Sequence, residues 1–464
     1  MPDLRHDPKK LLEKAFTLYG TEYYRTFTPG LIGLINDSRN VAIYRSPKKH
    51  LELQLEIMQY IERMDKTVSD GKKVAKVEKD ADSILEQRKR NRTLSLAYRS
   101  IVDGMAWRSF GFSRWTIRVV SQAKSPGLSH DKDGRNDEIK HAIGVVSSKR
   151  YVLLHDATNI LRVGDLSLLP KLPENKPVLG EVKTGKRVIT ARSVGKKLDT
   201  KIDTSKQEER LLQAQVMLDT RRWFFKKQSV TITEHRPVNK DFLASAGAVM
   251  KQAMNKGVSS RYLSPYLYME AYDIPKILDD FAGDATKFGA LLDSLSIPSE
   301  ELLGLQTNFD SLAILQDNEV VRTSPPYTAY PFKSEVIAKL ITGQMLTRTM
   351  IIRSKLEEAF SMRGYELRID ENVLDKSLEN PIDDNEFFSS HILFPGDEPR
   401  DQYAHIVHKQ SGFMYPVAVH LAMITQEYIS VEYIVSLAEA VRPTAVKGQS
   451  ILFYQEIIDN QRWL

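Results

Sequence analysis

Three residues of the chain have the types and spacing for chemistry: Asp165, Glu181 and Lys183. They stand in VGDLSLLPKLPENKPVLGEVKTG, residues 163–185. Two carboxylates within a few Å of each other repel, and one takes up a proton unless a cation joins them. A hard divalent ion such as Mg²⁺ removes that cost, using one or two carboxylates and keeping several waters. Beside a phosphate it polarises the phosphoryl oxygen and acidifies a bound water. A nearby ammonium orients that water or stabilises charge on phosphorus. The set suits phosphodiester hydrolysis.

Two strands would have to position these groups. ILRVGDLSLL (160–169) and VLGEVKTG (178–185) read as strands, joined by the turn-forming PKLPENKP. They are expected as a β-hairpin or as adjacent strands. Residues i and i+2 of a strand share a face, so Glu181 and Lys183 are expected to point together and Val182 into the core. Gly180 admits a close backbone or ligand. As neighbours, the two strands would bring Asp165 and Glu181 within one metal ion's reach.

Around this pair the pattern is mixed. Residues 49–66 and 74–110 read as long helices, with Arg88 to Arg92 (RKRNR) as a solvated helix face. RWTIRVV and KRYVLLH then read as strands, TSKQEERLLQAQVMLDTRRW (204–223) as an amphipathic helix, SVTITEH as a strand, VNKDFLASAGAVMKQAMNK as a helix and YLYMEAYDI as a strand. This order implies a mixed α/β layer. SPPYTAYPF (324–332) reads as a linker or loop, residues 333–363 as one long helix, and VEYIVSLAEAV as helix again. Residues 370–401 hold ten acidic residues against Lys376 and Arg400. The organisation expected is a helical region over 1–92, a core over 93–275, and an α-rich region over 276–464 for recognition, oligomerisation or regulation.

Asp165 followed by Glu181-Val182-Lys183 on a second strand, then a helix and another strand, resembles the PD-(D/E)XK nuclease superfamily. The resemblance covers about 130 residues and implies a restriction-endonuclease-like mixed sheet flanked by helices. It also implies that Asp165 and Glu181 bind Mg²⁺ or Mn²⁺ and that Lys183 assists the attacking water. Gly164 stands where the family name has Pro. The family often draws a further acid from an upstream helix, for which Asp103 and Glu86 are candidates. Some branches carry a Gln and a Tyr one helical turn apart on the next helix. Gln207, Gln213 and Gln215 are present, with Gln207 a candidate accessory residue, but no Tyr follows. Glu138-Ile139-Lys140 and Asp199-Thr200-Lys201 repeat the short motif in polar, non-strand contexts without an upstream strand Asp.

The surroundings bear on the substrate. Residues 186–201 carry six basic residues against Asp199. Of these Lys186, Arg187, Arg192, Lys196 and Lys197 are candidates to track a phosphate backbone, the alternative being a solvated loop. RRWFFKK (221–227) interleaves aromatics with charge; its rings suit either base stacking or a core. His405 and His408, at i and i+3, would share a helical face. His155 lies near the proposed strands, as a substrate contact or a turn cap.

The chain has 464 residues and a formal charge of +6, a mild lean toward acidic partners. It contains no cysteine, which excludes disulfides, thiol catalysis and Cys-ligated zinc. No P-loop or GxSxG elbow occurs. No secretory h-region and no run of roughly 20 apolar residues is present, so a cytoplasmic protein without a membrane partner is expected. The reading is a metal-dependent endonuclease acting on nucleic acid. DNA is favoured because most of the resembled superfamily cuts DNA, in restriction or phage defence, with a homo-oligomer or partner protein engaged through the C-terminal region. The alternatives are a non-catalytic nucleic-acid-binding module on the same fold and a protein-interaction scaffold.

Overall fold

The computed structural model describes residues 22–74, 81–121, 134–174, 176–182, 188–190, 206–225, 228–235, 241–281, 290, 302–307, 325–369, 404–445 and 451–455. The chain is a mixed α/β protein whose described helices are more extensive than its strands.

It begins with helices α1 (Glu22–Ser38), α2 (Val41–Tyr44), α3 (Pro47–Val74) and α4 (Ala81–Ser109). The apolar stripe of α3, with Ile57, Met58 and Ile61, is buried in the same core as Leu94, Ile101 and Met105 of α4. Tyr60 and Tyr98 stack between them with ring centroids 5.0 Å apart. At the centre of the pair Asp65 accepts from Ser95 at 2.7 Å and from Arg99 at 3.1 Å. The Arg88–Arg92 segment is not simply a solvated face. Arg88 donates to the Val68 carbonyl at 3.1 Å, Asn91 is buried, and Arg92 lies 3.7 Å from the Asp65 carboxylate.

Helix α5 (Arg114–Val120) occupies the stretch expected as a strand. Ser113 caps it by accepting the Thr116 N–H at 3.1 Å. Six of its seven residues are buried, so it lacks the one-sided apolar period by which a helix is read from sequence. Helix α6 (Arg135–Ser147) follows and contains the stray Glu138-Ile139-Lys140 motif.

The next strands are β1 (Tyr151–Leu154), β2 (Leu166–Leu169), β3 (Val178–Val182) and β4 (Val188–Thr190). They form an antiparallel sheet in the order β1-β2-β3-β4. Its outer edge at β1 is fastened by Gln54 of α3, which accepts from Leu154 N and donates to Val152 O, both at 2.9 Å. That covers an edge otherwise open to pairing. Helix α7 (Lys206–Thr220) packs on β3.

Strands β5 (Arg222–Phe225) and β6 (Gln228–His235) form a hairpin, and β14 (Ile451–Gln455) pairs with β6 in parallel. Helix α8 (Asp241–Lys256) leads into β7 (Val258–Ser264), β8 (Leu267–Asp273) and α9 (Ile274–Phe281); β9 (Leu302–Thr307) comes later. Residues 333–363, expected as a single helix, divide into α10 (Ser334–Ile341), β10 (Met345–Ile352) and α11 (Arg353–Ser361). Gly343, at φ +74°, turns the chain between α10 and β10. The antiparallel sheet β7-β8-β10-β9 buries β10 at all eight positions. Its one charged residue is paired inside: Arg348 meets Glu270 of β8 at 2.6 Å, and Tyr272 donates to the same carboxylate at 2.8 Å. A strand buried on both faces, with charges among its apolar residues, does not alternate, and its pattern passes for helix.

Strands β11 (Tyr365–Ile369), β12 (Ala404–His408) and β13 (Met414–Pro416) form a third antiparallel set, followed by α12 (Ala418–Glu427) and α13 (Val431–Ala445). His405 and His408 therefore lie on a strand, where i and i+3 point to opposite faces, which removes the shared helical face expected for them. The acidic 370–401 segment lies outside the described residues. The boundaries expected after residues 92 and 275 both fall inside helices, α4 and α9. One hydrophobic core runs from Tyr24 of α1 to Ala438 of α13. Among the described residues no helix is long and apolar enough to cross a membrane.

Candidate active site

The Asp165 turn is built by glycine. Gly164 sits at φ +75°, and a Cβ there would meet the Gly180 carbonyl oxygen at 2.7 Å and Leu211 of α7 at 3.0 Å. Only the bare backbone fits against β3 at this point. The turn is then pinned on both sides. Asp165 N donates to Gly180 O at 2.9 Å, and Asp165 O accepts from His155 N at 3.0 Å.

The β2–β3 register pairs Leu166 with Gly180. Asp165 immediately precedes that pair on one strand and Glu181 immediately follows it on the other, so both carboxylates belong to the same end of the hairpin. Asp165 is half-buried, and its Oδ2 accepts the Val182 N–H at 2.7 Å. Glu181 is only 5% exposed, and Leu179, on the same face, is fully buried. Val182 is half-buried, so the inward position expected for it is taken more fully by Glu181. The strand thus carries a carboxylate into the sheet's interior at the point where the Asp165 turn meets it. Burial of this kind disfavours an ionised carboxylate unless positive charge or donors meet it.

Two further groups hold the hairpin. His155, buried just after β1, has Nδ1 3.0 Å from Gly164 O and Nε2 2.8 Å from Ser167 Oγ. A carbonyl only accepts, so Nδ1 carries a proton and donates to Gly164 O, while Nε2 shares a hydrogen bond with the Ser167 hydroxyl. His155 is thus a clamp on the Gly164–Asp165 turn. Gln215 of α7 accepts from Leu179 N at 2.9 Å and donates to Pro177 O at 3.0 Å, fastening α7 to β3. The sequence marks Gln215 as one of several glutamines on this helix; its strand contact depends on a tertiary packing that no local pattern encodes.

The accessory candidates stand elsewhere. Asp103 is buried and accepts from Asn159 N at 2.8 Å, Asn159 Nδ2 at 2.8 Å and Ile160 N at 3.3 Å. It caps the loop that leads to Gly164, and burial pushes its pKa up to about 6 against those donors. Its oxygens are committed to that loop and not to the Asp165–Glu181 pair. Glu86 pairs with Arg90 of its own helix. Gln207 is exposed in the first turn of α7. Lys183 lies outside the described residues, as do Lys186, Arg187, Arg192, Lys196 and Lys197. The side chains of Trp223 and Phe225 are likewise not described.

Among the described residues no group of three acidic or histidine side chains could hold a metal ion. The pair Asp165 and Glu181 still suits an ion that takes one or two carboxylates and retains water, which is the habit of Mg²⁺ and not of structural zinc. No family model, curated protein or solved structure matches this chain.

Proposed function

We propose that the protein is a metal-dependent nuclease that hydrolyses phosphodiester bonds, on a restriction-endonuclease-like core that would comprise α6, β1 to β3 and α7. The observation that carries this reading is the placement of Asp165 and Glu181 across from each other, one position beyond the Leu166–Gly180 register pair, at one end of an antiparallel hairpin followed by a helix. Asp165 and Glu181 are the residues that would hold Mg²⁺ or Mn²⁺. When bound, the ion would polarise the phosphoryl oxygen and lower the pKa of a water. Lys183, two residues beyond Glu181, would orient that water. In the hydrolysis, hydroxide adds to phosphorus, a P–O bond to the sugar breaks, and the departing oxygen takes a proton. Lys186, Arg187, Arg192, Lys196 and Lys197 would follow the phosphates on either side. DNA is the favoured substrate, and restriction or phage defence the setting.

A second reading rests on one contact. Asp165 Oδ2 already accepts the Val182 N–H, a role that needs no metal and suits a non-catalytic nucleic-acid-binding module on the same fold. The two readings separate when wild type, Asp165→Ala and Lys183→Ala are incubated with linear DNA, circular DNA and RNA in Mg²⁺, Mn²⁺ or EDTA. Metal-dependent cleavage by wild type alone supports the nuclease. Salt-sensitive binding without cleavage, retained in Lys183→Ala, supports the binding module. Neither cleavage nor binding sinks both and leaves a scaffold.

A further inference from the structure

An open cleft of about 550 Å³ lies where the end of α1, the last turn of α4 and the N-terminus of α10 meet. Its volume falls in the range of small-molecule sites, about 300–1,000 Å³. Arg39, Arg108 and Lys333 line it, and among the described residues Glu335 is the one acidic side chain in the lining. No ion pair joins Glu335 to any of the three.

Arg108 is the unusual member. It is 5% exposed, its Nη2 donates to Thr328 O at 2.7 Å, and its Nη1 has no hydrogen-bond partner. Among the described residues it has no carboxylate partner either. The Tyr44 hydroxyl gives its own proton to Ser38 O at 2.7 Å and offers its oxygen to the guanidinium, a neutral acceptor that supplies no counter-charge. A buried guanidinium without a counter-charge is costly unless something else meets it. Arg39 stands beside it, donating to Phe332 O at 2.7 Å and to Ser334 Oγ at 3.4 Å. Burial and the like charge of Arg108 lower the Arg39 pKa to about 10. Two cations have therefore been brought together here at a cost.

The third wall is a helix start. The first intrahelical bond of α10 runs from Ile337 N to Lys333 O at 3.0 Å, so the N–H groups of Ser334, Glu335 and Val336 precede it. Lys333, at the cap position, makes no side-chain cap. Such a terminus favours anions. Guanidinium forks match phosphate oxygens in pairs, and an ammonium adds a point charge.

We propose that this cleft binds the phosphate group of a small phosphorylated ligand, held by Arg39, Arg108 and Lys333 at the start of α10. The site shares no residue with the Asp165–Glu181 hairpin, so it stands or falls independently of the nuclease reading.

The test is calorimetric titration of the full chain with AMP, inorganic phosphate and adenosine. AMP is expected to bind saturably at one site and adenosine not at all. Displacement of AMP by inorganic phosphate would show that the phosphate group suffices; AMP binding without such displacement would show that the rest of the ligand contributes too. Lys333→Glu and Arg39→Gln, each checked for an unchanged melting profile, should weaken binding about tenfold or more. Asp165→Asn should leave it unchanged. Absence of saturable binding by both AMP and phosphate, equal binding of adenosine, or binding unaltered in the two folded variants would overturn the proposal.

Discussion

The Asp165 carboxylate accepts the backbone N–H of Val182 at 2.7 Å, which ties the turn before β2 to the strand that carries Glu181. The contact fixes where one acid stands relative to the other, so Asp165 has a structural role beside the metal-binding one proposed for it. The two roles can be separated. Asp165→Asn keeps an oxygen for Val182 N–H but removes the charge, and should abolish metal-dependent cleavage while shifting stability by less than about 1 kcal/mol. Asp165→Ala should lose the same activity and about 1 kcal/mol of stability as well. Denaturant unfolding beside a cleavage assay reads both. Full activity in Asp165→Asn would leave the carboxylate with only its structural role.

Gly164 is a second point of leverage. Adding a methyl group there forces a left-handed Ala against the Gly180 carbonyl, 2.7 Å from the new Cβ. The conformation alone costs roughly 1–2 kcal/mol, and the clash adds to it. Gly164→Ala should lower the denaturation midpoint and displace Asp165, reducing turnover more than substrate affinity. An unchanged midpoint would show that the turn can relax away from β3.

His155 touches the turn through Gly164 and not through the acids, so it is a positioning residue. His155→Ala removes the bond to the Gly164 carbonyl and leaves the Ser167 hydroxyl without its ring partner. Turnover should fall about tenfold with KM little changed, because the affected group acts on geometry. His155→Asn, which can still donate to that carbonyl, should recover part of the loss. A fall in KM alone, or no rescue, would argue against the clamp.

Two buried histidines outside the Asp165–Glu181 pair should govern acid stability. Burial lowers the pKa of His50 and of His420 to about 4 each, from an ordinary 6.5. Both are neutral in the folded chain, so their contribution is fully present above pH 6.5 and is lost as the pH falls toward 4. For His50 the loss by pH 5 is about 2 kcal/mol. His50→Gln, compared with wild type by denaturant unfolding at pH 7 and pH 5, should show a smaller drop. Asp103 works the other way, since its raised pKa makes its contribution greatest at low pH and lost as the pH rises through about 6. Equal drops in wild type and His50→Gln would show that His50 is not buried neutral.

The hairpin was legible in the sequence because its signals are local. Apolar runs flank PKLPENKP, and Gly164 and Gly180 stand where backbones meet. What could not be read depends on burial from all sides. Arg114–Val120 is rich in β-branched residues and buried at six of seven positions, so it passes for a strand although Ser113 caps it as a helix. Met345–Ile352 carries Thr347, Arg348 and Thr349 inside a sheet, and the Glu270 that neutralises Arg348 lies 78 residues away in sequence. Asp103 looks like a spare acid on an upstream helix, and only the folded chain reveals that Asn159 and Ile160 occupy its oxygens.

The most direct measurement is Mn²⁺ binding followed by electron paramagnetic resonance, on wild type, Asp165→Asn and Glu181→Gln. If the two carboxylates share an ion, wild type binds one Mn²⁺ that Mg²⁺ displaces, and each variant loses it. Binding of the same stoichiometry and affinity in all three proteins, or no binding in wild type with nucleic acid present, would contradict the assignment of Asp165 and Glu181 as a metal site.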